Sequence, residues 1–316
     1  MNQTPNNPIL KEQPLKKKLI IVDSHALTHR AYHALPPLTT KNGELINAVY
    51  GFLLVFLRAL HEFQPDFVVA TFDFPGKTFR HQKFKEYKAT RPPVPDELYN
   101  QIPKIKEVLS AFNIPIFEKE GFEADDIIGT ITRLASKKQI FPEIEIIILS
   151  GDLDTFQLVN PYTKVYFLKR GVKDIILYDE VMVKERYGLL SQQLVDFRAL
   201  TGDPSDNIPG VPGVGEKTAI KLLKEFGSLE NLYSALNQRP LHQIIGGGLI
   251  SVNQRLRAKL EEYKEQAFFS KSLARINQNV EIDFKLEDCN WKDYDKEKAI
   301  EILKKLEFNS LIQRLP

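Results

Sequence analysis

Apolar positions along this chain follow two regimes. Between Lys18 and Asp179, short runs of β-branched and other apolar residues alternate with stretches of helical spacing, the pattern of a mainly parallel sheet covered by helices. Strands are expected at Leu19–Asp23, Phe67–Asp73, Ile114–Phe117, Ile144–Leu149, Lys164–Leu168 and Ile175–Tyr178. Leu98, Ile102, Ile105, Leu109 and Phe112 recur at helical spacing, which predicts one amphipathic helix over Asp96–Phe112, bent at Pro103 or exposing it. Helices are also expected at Ala48–Leu60 and Asp125–Lys137. Beyond about Val181 the pattern turns helical and polar, with turn residues at Asp206–Gly215 and a loop at Gly246–Gly248. The fold class is therefore α/β over residues 18–180, followed by an α-helical region over 181–316.

Composition agrees with two domains, because 316 residues with 43% hydrophobic content exceed what one simple core usually holds. The apolar run Ala48–Leu60 is shorter than the roughly 20 residues of a membrane span and contains Arg58, so it reads as a buried helix. Residues 1–17 begin with Asn, Gln and Pro and lack a signal peptide's apolar core, and are expected to be a disordered tail. Cys289 is the only cysteine, which excludes an intrachain disulfide and a cysteine-built zinc site and fits a cytoplasmic protein. The net charge of +2 says little. Its distribution says more, since carboxylates gather in short motifs while Lys and Arg crowd Lys77–Arg91.

Those carboxylates are Asp23 of IIVDS, Asp73 of TFDF, Glu123, Asp125 and Asp126 of FEADD, Asp152 and Asp154 of SGDLD, and Asp203 and Asp206 of TGDPSDN. Each motif alone has an ordinary structural use. Asp23 and Asp73 can begin turns, the FEADD acids suit a helix start, and Asp206 can cap a helix. Together they present an electrostatic problem, because like charges in one pocket resist joint ionisation. Bound cations resolve it, and a hard ion such as Mg²⁺ takes oxygen ligands of this kind. Strand ends at the point where strand order reverses are where ligands collect in such sheets. Two such ions could activate water and stabilise the leaving oxygen of a phosphodiester. His25, His29 and His33 recur every four residues and could line a helix, but imidazole is a poor partner for an all-carboxylate Mg²⁺ site. GVPGVG is not followed by the Lys-Ser/Thr of a P-loop in the required register.

Two features suit nucleic acid. PGKTFRHQKFKEYKATR interleaves Lys77, Arg80, Lys83, Lys85, Lys88 and Arg91 with Phe79, Phe84 and Tyr87, combining phosphate-neutralising cations with rings able to stack on unpaired bases. A plain solvated loop is the alternative. NIPGVPGVGEKTAIKLLKEFG is a Gly-rich turn opening a helix, whose free N–H groups around Gly213, Gly215 and Thr218 can bind a phosphate. Lys217, Lys221 and Lys224 share one face of that helix, away from Ala219, Leu222 and Leu223. A plain helical hairpin is the alternative there.

EADD, GDxD and GDPSDNIPGVPGVGEKTA together resemble the 5′-nuclease (flap endonuclease-like) family, and specifically the 5′→3′ exonuclease domain of bacterial DNA polymerase I. The likeness runs from about Leu19 to Leu315 and includes the closing LEFNSLIQRL, with no polymerase sequence following, as in a stand-alone form. It implies a PIN-like fold with a C-terminal helix-three-turn-helix at about 206–226, and a basic arch at about 76–95. By the resemblance, Asp23, Asp73, Glu123 and Asp125 would hold one Mg²⁺ and Asp125, Asp152, Asp154 and Asp206 a second, with Asp126 and Asp203 nearby through waters. Mn²⁺ would substitute, and K⁺ would sit at the hairpin. Arg80, Lys88 and Arg91 would be catalytic phosphate clamps, with Tyr87 as a stacking partner. Lys83, Lys85, Gly213, Gly215, Lys217, Thr218 and Lys221 would contact DNA.

The implied function is a Mg²⁺-dependent 5′→3′ exonuclease and 5′ flap endonuclease. It would act on duplex DNA with a 5′ end, nick or flap, or on RNA-primed DNA, as a monomer alongside a DNA polymerase and a ligase and without a membrane. A PIN-like ribonuclease and a catalytically silent DNA-structure binder are the alternatives. The chain has Ser24 where the family has Gly, His29 where Tyr is usual, and Leu153 where Lys is common.

Overall fold

The computed structural model describes residues 16–136, 144–238, 254–292 and 294–316. All six expected strands form, as β1 (Lys17–Asp23), β2 (Phe67–Thr71), β3 (Ile116–Phe117), β4 (Ile144–Ser150), β5 (Thr163–Arg170) and β6 (Asp174–Tyr178). They make one sheet in the order β3-β2-β1-β4-β5-β6, parallel except for the antiparallel β5–β6 pair. The chain leaves β1 towards β2 and β3, then returns to lay β4 on the other side of β1. A crevice therefore opens beyond the carboxyl ends of β1 and β4.

Strand alternation sends successive residues to opposite faces, and both faces are buried. Leu19, Ile21, Val69, Ile146, Ile148 and Val165 enter one core, while Ile20, Val22, Val68, Ile147, Leu149 and Leu168 enter the other. This two-sided burial explains why the strands read as continuous apolar runs. The second face is covered by α1 (Ser24–Ala34) and α2 (Asn47–Phe63). α2 extends the expected Ala48–Leu60 helix and buries Phe52, Phe56 and Leu57. No helix among the described residues is long and apolar enough to cross a membrane.

After β2 come α3 (Phe79–Lys83), α4 (Asp96–Tyr99), α5 (Ile102–Ala111) and α6 (Ala124–Ala135). The single helix expected over Asp96–Phe112 is two. Pro103 lies in the first turn of α5, where a missing N–H costs nothing, so the chain breaks before it rather than bending around it. α6 ends at Ala135, and Lys137 lies outside the described residues.

The helical region contains α7 (Glu180–Tyr187), α8 (Leu194–Thr201), α9 (Glu216–Phe226) and α10 (Leu229–Gln238), and later the helix Lys264–Ala274. Its buried Val183, Leu200, Leu222, Leu223 and Leu236 join the same core as the first sheet face. Residues 291–315 do something different. Trp291, Leu303, Phe308 and Leu311 return to the second sheet face against α2 and α5, so the end of the chain packs on the α/β layer rather than extending the helical region. Lys17, expected in the tail, opens β1 opposite Ile144; residues 1–15 and the Gly246–Gly248 loop lie outside the described residues.

Candidate functional site

Each acidic motif sits where an element starts or stops, so its backbone is fixed by local hydrogen bonds. Asp23 ends β1 and caps α1, accepting from Ala26 N at 3.1 Å and from the Ser150 hydroxyl at the end of β4. Asp73 follows β2 and accepts from Ala124 N at 2.7 Å, which ties the second strand end to the start of α6. Asp152 accepts from Asp154 N at 2.8 Å and its own N–H donates to the Ser150 hydroxyl at 2.9 Å. Ser150 is thus a hinge between Asp23 and Asp152 that carboxylate counting overlooked, although it stands in the SGDLD motif.

The carboxylates border two adjoining cavities rather than one shared pocket. The larger, of about 850 Å³, is lined by Asp23, Asp73, Glu123, Asp125 and Asp152. The smaller, of about 390 Å³, is lined by Asp152, Asp154, Asp203 and Asp206. Asp152 belongs to both. Among the described residues no three Asp, Glu, His or Cys side chains close together as a ready-made metal site. The donor chemistry nonetheless fits hard cations: all the candidate ligands are carboxylates, and several are poorly neutralised by the protein.

Burial pushes the Asp23 carboxyl up to about 7, against the opposing hydrogen bonds from Ser150 and Ala26, with Asp152 and Asp73 adding repulsion. Burial and the neighbouring Asp152 likewise push Asp154 up to about 7 despite Arg198. Asp125 is raised by burial and by Asp152, Asp23 and Glu123, and Asp152 is raised mainly by burial. Such mutual disfavour is what bound cations would relieve.

Glu123, Asp126, Asp203 and Asp206 are paired instead with cations of the chain itself. Lys88 Nζ donates to Glu123 Oε1 at 2.8 Å and lies 3.9 Å from Asp206 Oδ2, while Arg91 pairs with Asp206 Oδ1. Burial works against the Asp206 charge, but Lys88 and Arg91 outweigh it and hold the carboxyl below its usual range. Lys88 N also donates to Asp206 O at 2.9 Å, so the basic segment is latched to the loop before α9 by backbone as well as side chain. Arg198, on the last turn of α8, lies 3.4 Å from both Asp154 and Asp203. Nothing in the sequence motifs marked it.

Three expected site residues have other work in this geometry. Arg80 is buried; its Nη1 and Nη2 donate to Asp126 at 2.7 and 2.8 Å, Nη1 lies 3.3 Å from Glu123, and Nε and Nη2 donate to the carbonyls of Leu273 and Arg275. Those donors leave little for a phosphate, so Arg80 as placed is a brace and not a clamp. Asp126 is fully buried and also accepts from Glu123 N and Asn277 N, which fills its oxygens and removes it from the metal candidates. Tyr87 is buried with its hydroxyl donating to Glu123 and Asp206, so its ring is not open for stacking.

Other expected residues do face solvent. Lys83 and Lys85 are exposed beside the cleft segment, and Lys217, Lys221 and Lys224 are exposed along α9 with Thr218 half-buried. Gly215 stands at the N-terminus of α9 with no side-chain cap, and Gly213 takes φ +85°, a conformation that favours glycine. Asp203 accepts from Ser205 N and hydroxyl, bending the loop that presents Asp206. In the larger cavity, His25 Nε2 and His29 Nε2 are 3.2 Å apart, and His25 lies 3.5 Å from Asp73.

A two-sided, mostly parallel sheet with an acidic crevice at its strand ends, a basic segment latched over that crevice and a helical region beside it is the build of a nuclease. The chain belongs to the 5'-3' exonuclease family: residues 18–188 match the N-terminal resolvase-like domain of the 5'-3' exonuclease and residues 189–297 its C-terminal SAM fold. It is 42% identical over 300 residues to DNA polymerase I of Bacillus subtilis, covering 95% of this chain and 32% of that protein. It is 44% identical over 302 residues to DNA polymerase I of Caldicellulosiruptor bescii, covering 94% and 33%. The chain thus spans about a third of the length of these relatives. Among solved structures, the bacteriophage T5 D15 protein co-crystallized with metal ions shares the fold with a TM-score of 0.64 and 20% identity, over 95% of this chain and all of that one. The catalytic core of Rad2 in complex with DNA substrate gives 0.59 and 18%, over 95% and 94%.

Proposed function

We propose that this chain hydrolyses phosphodiester bonds near the 5′ end of duplex DNA, stepwise from the end and at 5′ flaps, with divalent cations as cofactors. The carrying observation is the pair of adjoining acidic cavities joined through Asp152, with Lys88 and Arg91 latched across them. Asp23, Asp73, Glu123 and Asp125 would hold one Mg²⁺, and Asp152, Asp154 and Asp206, with Asp125, a second; Mn²⁺ has the same ligand preference. When bound, such ions activate water and stabilise the leaving oxygen.

The chain's own residues fix and gate that site. Ser150 and Ala26 hold Asp23, and Ala124 N holds Asp73, so these carboxylates are placed before any ligand arrives. Lys88 and Arg91 exchange Glu123 and Asp206 for phosphate oxygens as the 5′ strand enters, which couples entry to freeing of the acids. Exposed Lys217 and Lys221 with the uncapped start of α9 hold duplex phosphates, with K⁺ as an added counter-charge. Primer removal and repair in the cytoplasm, as a monomer alongside a DNA polymerase and a ligase, follow from this reading, which relatives named DNA polymerase I support.

The test is cleavage of matched flap, nicked-duplex and single-stranded RNA substrates with and without Mg²⁺. Flap and nick should be cut only with metal, and Asp152→Ala should lose cleavage while keeping DNA binding. Selective cutting of the single-stranded RNA, or undiminished cutting by Asp152→Ala, rejects the proposal.

A further inference from the structure

The larger cavity carries aromatic surface that the acidic chemistry does not use. Phe74 directly follows Asp73 and is 37% exposed; Tyr99, the last residue of α4, is 49% exposed. They are two of the three exposed Phe, Tyr or Trp side chains among the described residues, and both line this one cavity. Among the described residues neither ring packs on another aromatic ring, and the Tyr99 hydroxyl has no hydrogen-bond partner. Val94 and Ile102 continue the apolar surface, while Arg30 also lines the cavity and supplies positive charge; Lys106 lines it too but is paired with Glu118 at 2.5 Å.

A wall with open ring faces beside cations fits an occupant that has flat apolar faces and negative charge together. Unpaired nucleotides have both, whereas bases within a duplex have their faces already covered. An apolar protein segment would match the rings and leave the Arg30 charge, which among the described residues has only the Gly151 carbonyl as a partner, without a counter-charge. We propose that Phe74 and Tyr99 form a base-stacking wall that grips the unpaired part of the 5′ strand next to Asp73 and so sets a preference for flaps over flush or nicked ends. This rests on the nuclease reading and adds the determinant of substrate form.

Phe74→Ala, Tyr99→Ala and the double variant test it, with a melting curve to confirm folding, which exposed positions should leave intact. On a short flap, each substitution should raise KM by about tenfold with kcat little changed, the size of one lost base–aromatic stack. A nicked duplex should respond much less, wild type should show the same loss on a flap of abasic sites, and Phe74→Trp should restore binding. Equal losses on flap and nick, no loss on the flap, or indifference to abasic sites overturns the wall. If wild type cuts none of these substrates, the nuclease reading falls on its own. The wall is then decided by the fluorescence of 2-aminopurine in a bound 5′ overhang, where quenching lost in the double variant supports it and unchanged quenching overturns it.

Discussion

Replacing Asp126 by Ala should destabilise the whole molecule, because it strands a buried cation. Asp126 is fully buried, and Arg80 keeps only 3% of its surface. The pair is bidentate, at 2.7 and 2.8 Å, and Asp126 also satisfies the N–H groups of Glu123 at 3.1 Å and Asn277 at 2.8 Å. Its loss leaves Arg80 with Glu123 at 3.3 Å as its remaining acidic partner, and two N–H groups without theirs. Breaking a buried pair by removing one partner costs about 3–5 kcal/mol. The orphaned N–H groups would add to this if they stayed dry, while partial compensation by Glu123 pulls the other way, so about 3–5 kcal/mol remains the working figure. In a chain of 316 residues that corresponds to a fall in Tm of roughly 5–8 °C.

Thermal and urea unfolding followed by circular dichroism measure the loss. A double-mutant cycle with Arg80→Met separates the pair from general disruption: Asp126→Ala with Arg80→Met should cost less than the sum of the two single variants, because the buried charge is gone. A change in stability below about 1 kcal/mol for Asp126→Ala, or strictly additive single and double variants, would refute the reasoning.

Two further outcomes follow from the charge distribution. Substituting Lys217 and Lys221 by Ala should weaken duplex binding and reduce the slope of log K against log salt by about 2, near one unit for each phosphate contact; an unchanged slope removes α9 from the interface. Burial and the neighbouring His25 and His33 hold the His29 imidazole down at about 4, below the ordinary 6.5. The unfolded chain therefore takes up this proton first, so the stabilisation is complete above about pH 6.5 and is lost as pH falls towards 4. A His29 ring that titrates near 6.5 by NMR in the folded protein contradicts this.

Much of the fold was legible because sheet burial writes itself into the chain. Every expected strand formed within a few residues of its predicted ends, since strands covered on both faces must be apolar throughout. The boundaries that moved did so for local reasons, as at Pro103, where a helix start is the position that tolerates the missing N–H. The helical region was legible as helices, yet its packing was not. Leu222 and Leu200 share a core with Leu19, while Phe308 and Leu311 turn back to the opposite face, and periodicity names the apolar side of a helix without naming its neighbour.

The sequence by itself determined which side chains are available for chemistry: acids at strand ends and helix starts, and cations and rings in one segment. Each follows from a local rule about turns, caps and strand ends that needs only neighbours in the chain. Tertiary structure alone decided which of those acids remain free. Asp126 and Asp125 are adjacent in sequence, yet Arg80, 46 residues away from Asp126, fills the oxygens of one, while the other faces Asp152 across the cleft. Asp203 and Asp206 are likewise separated in role by Arg198 and Arg91, which arrive from α8 and from the basic segment. The physical reason is that a carboxylate's role depends on the charges within a few ångströms of it, and these are set by folding rather than by proximity along the chain.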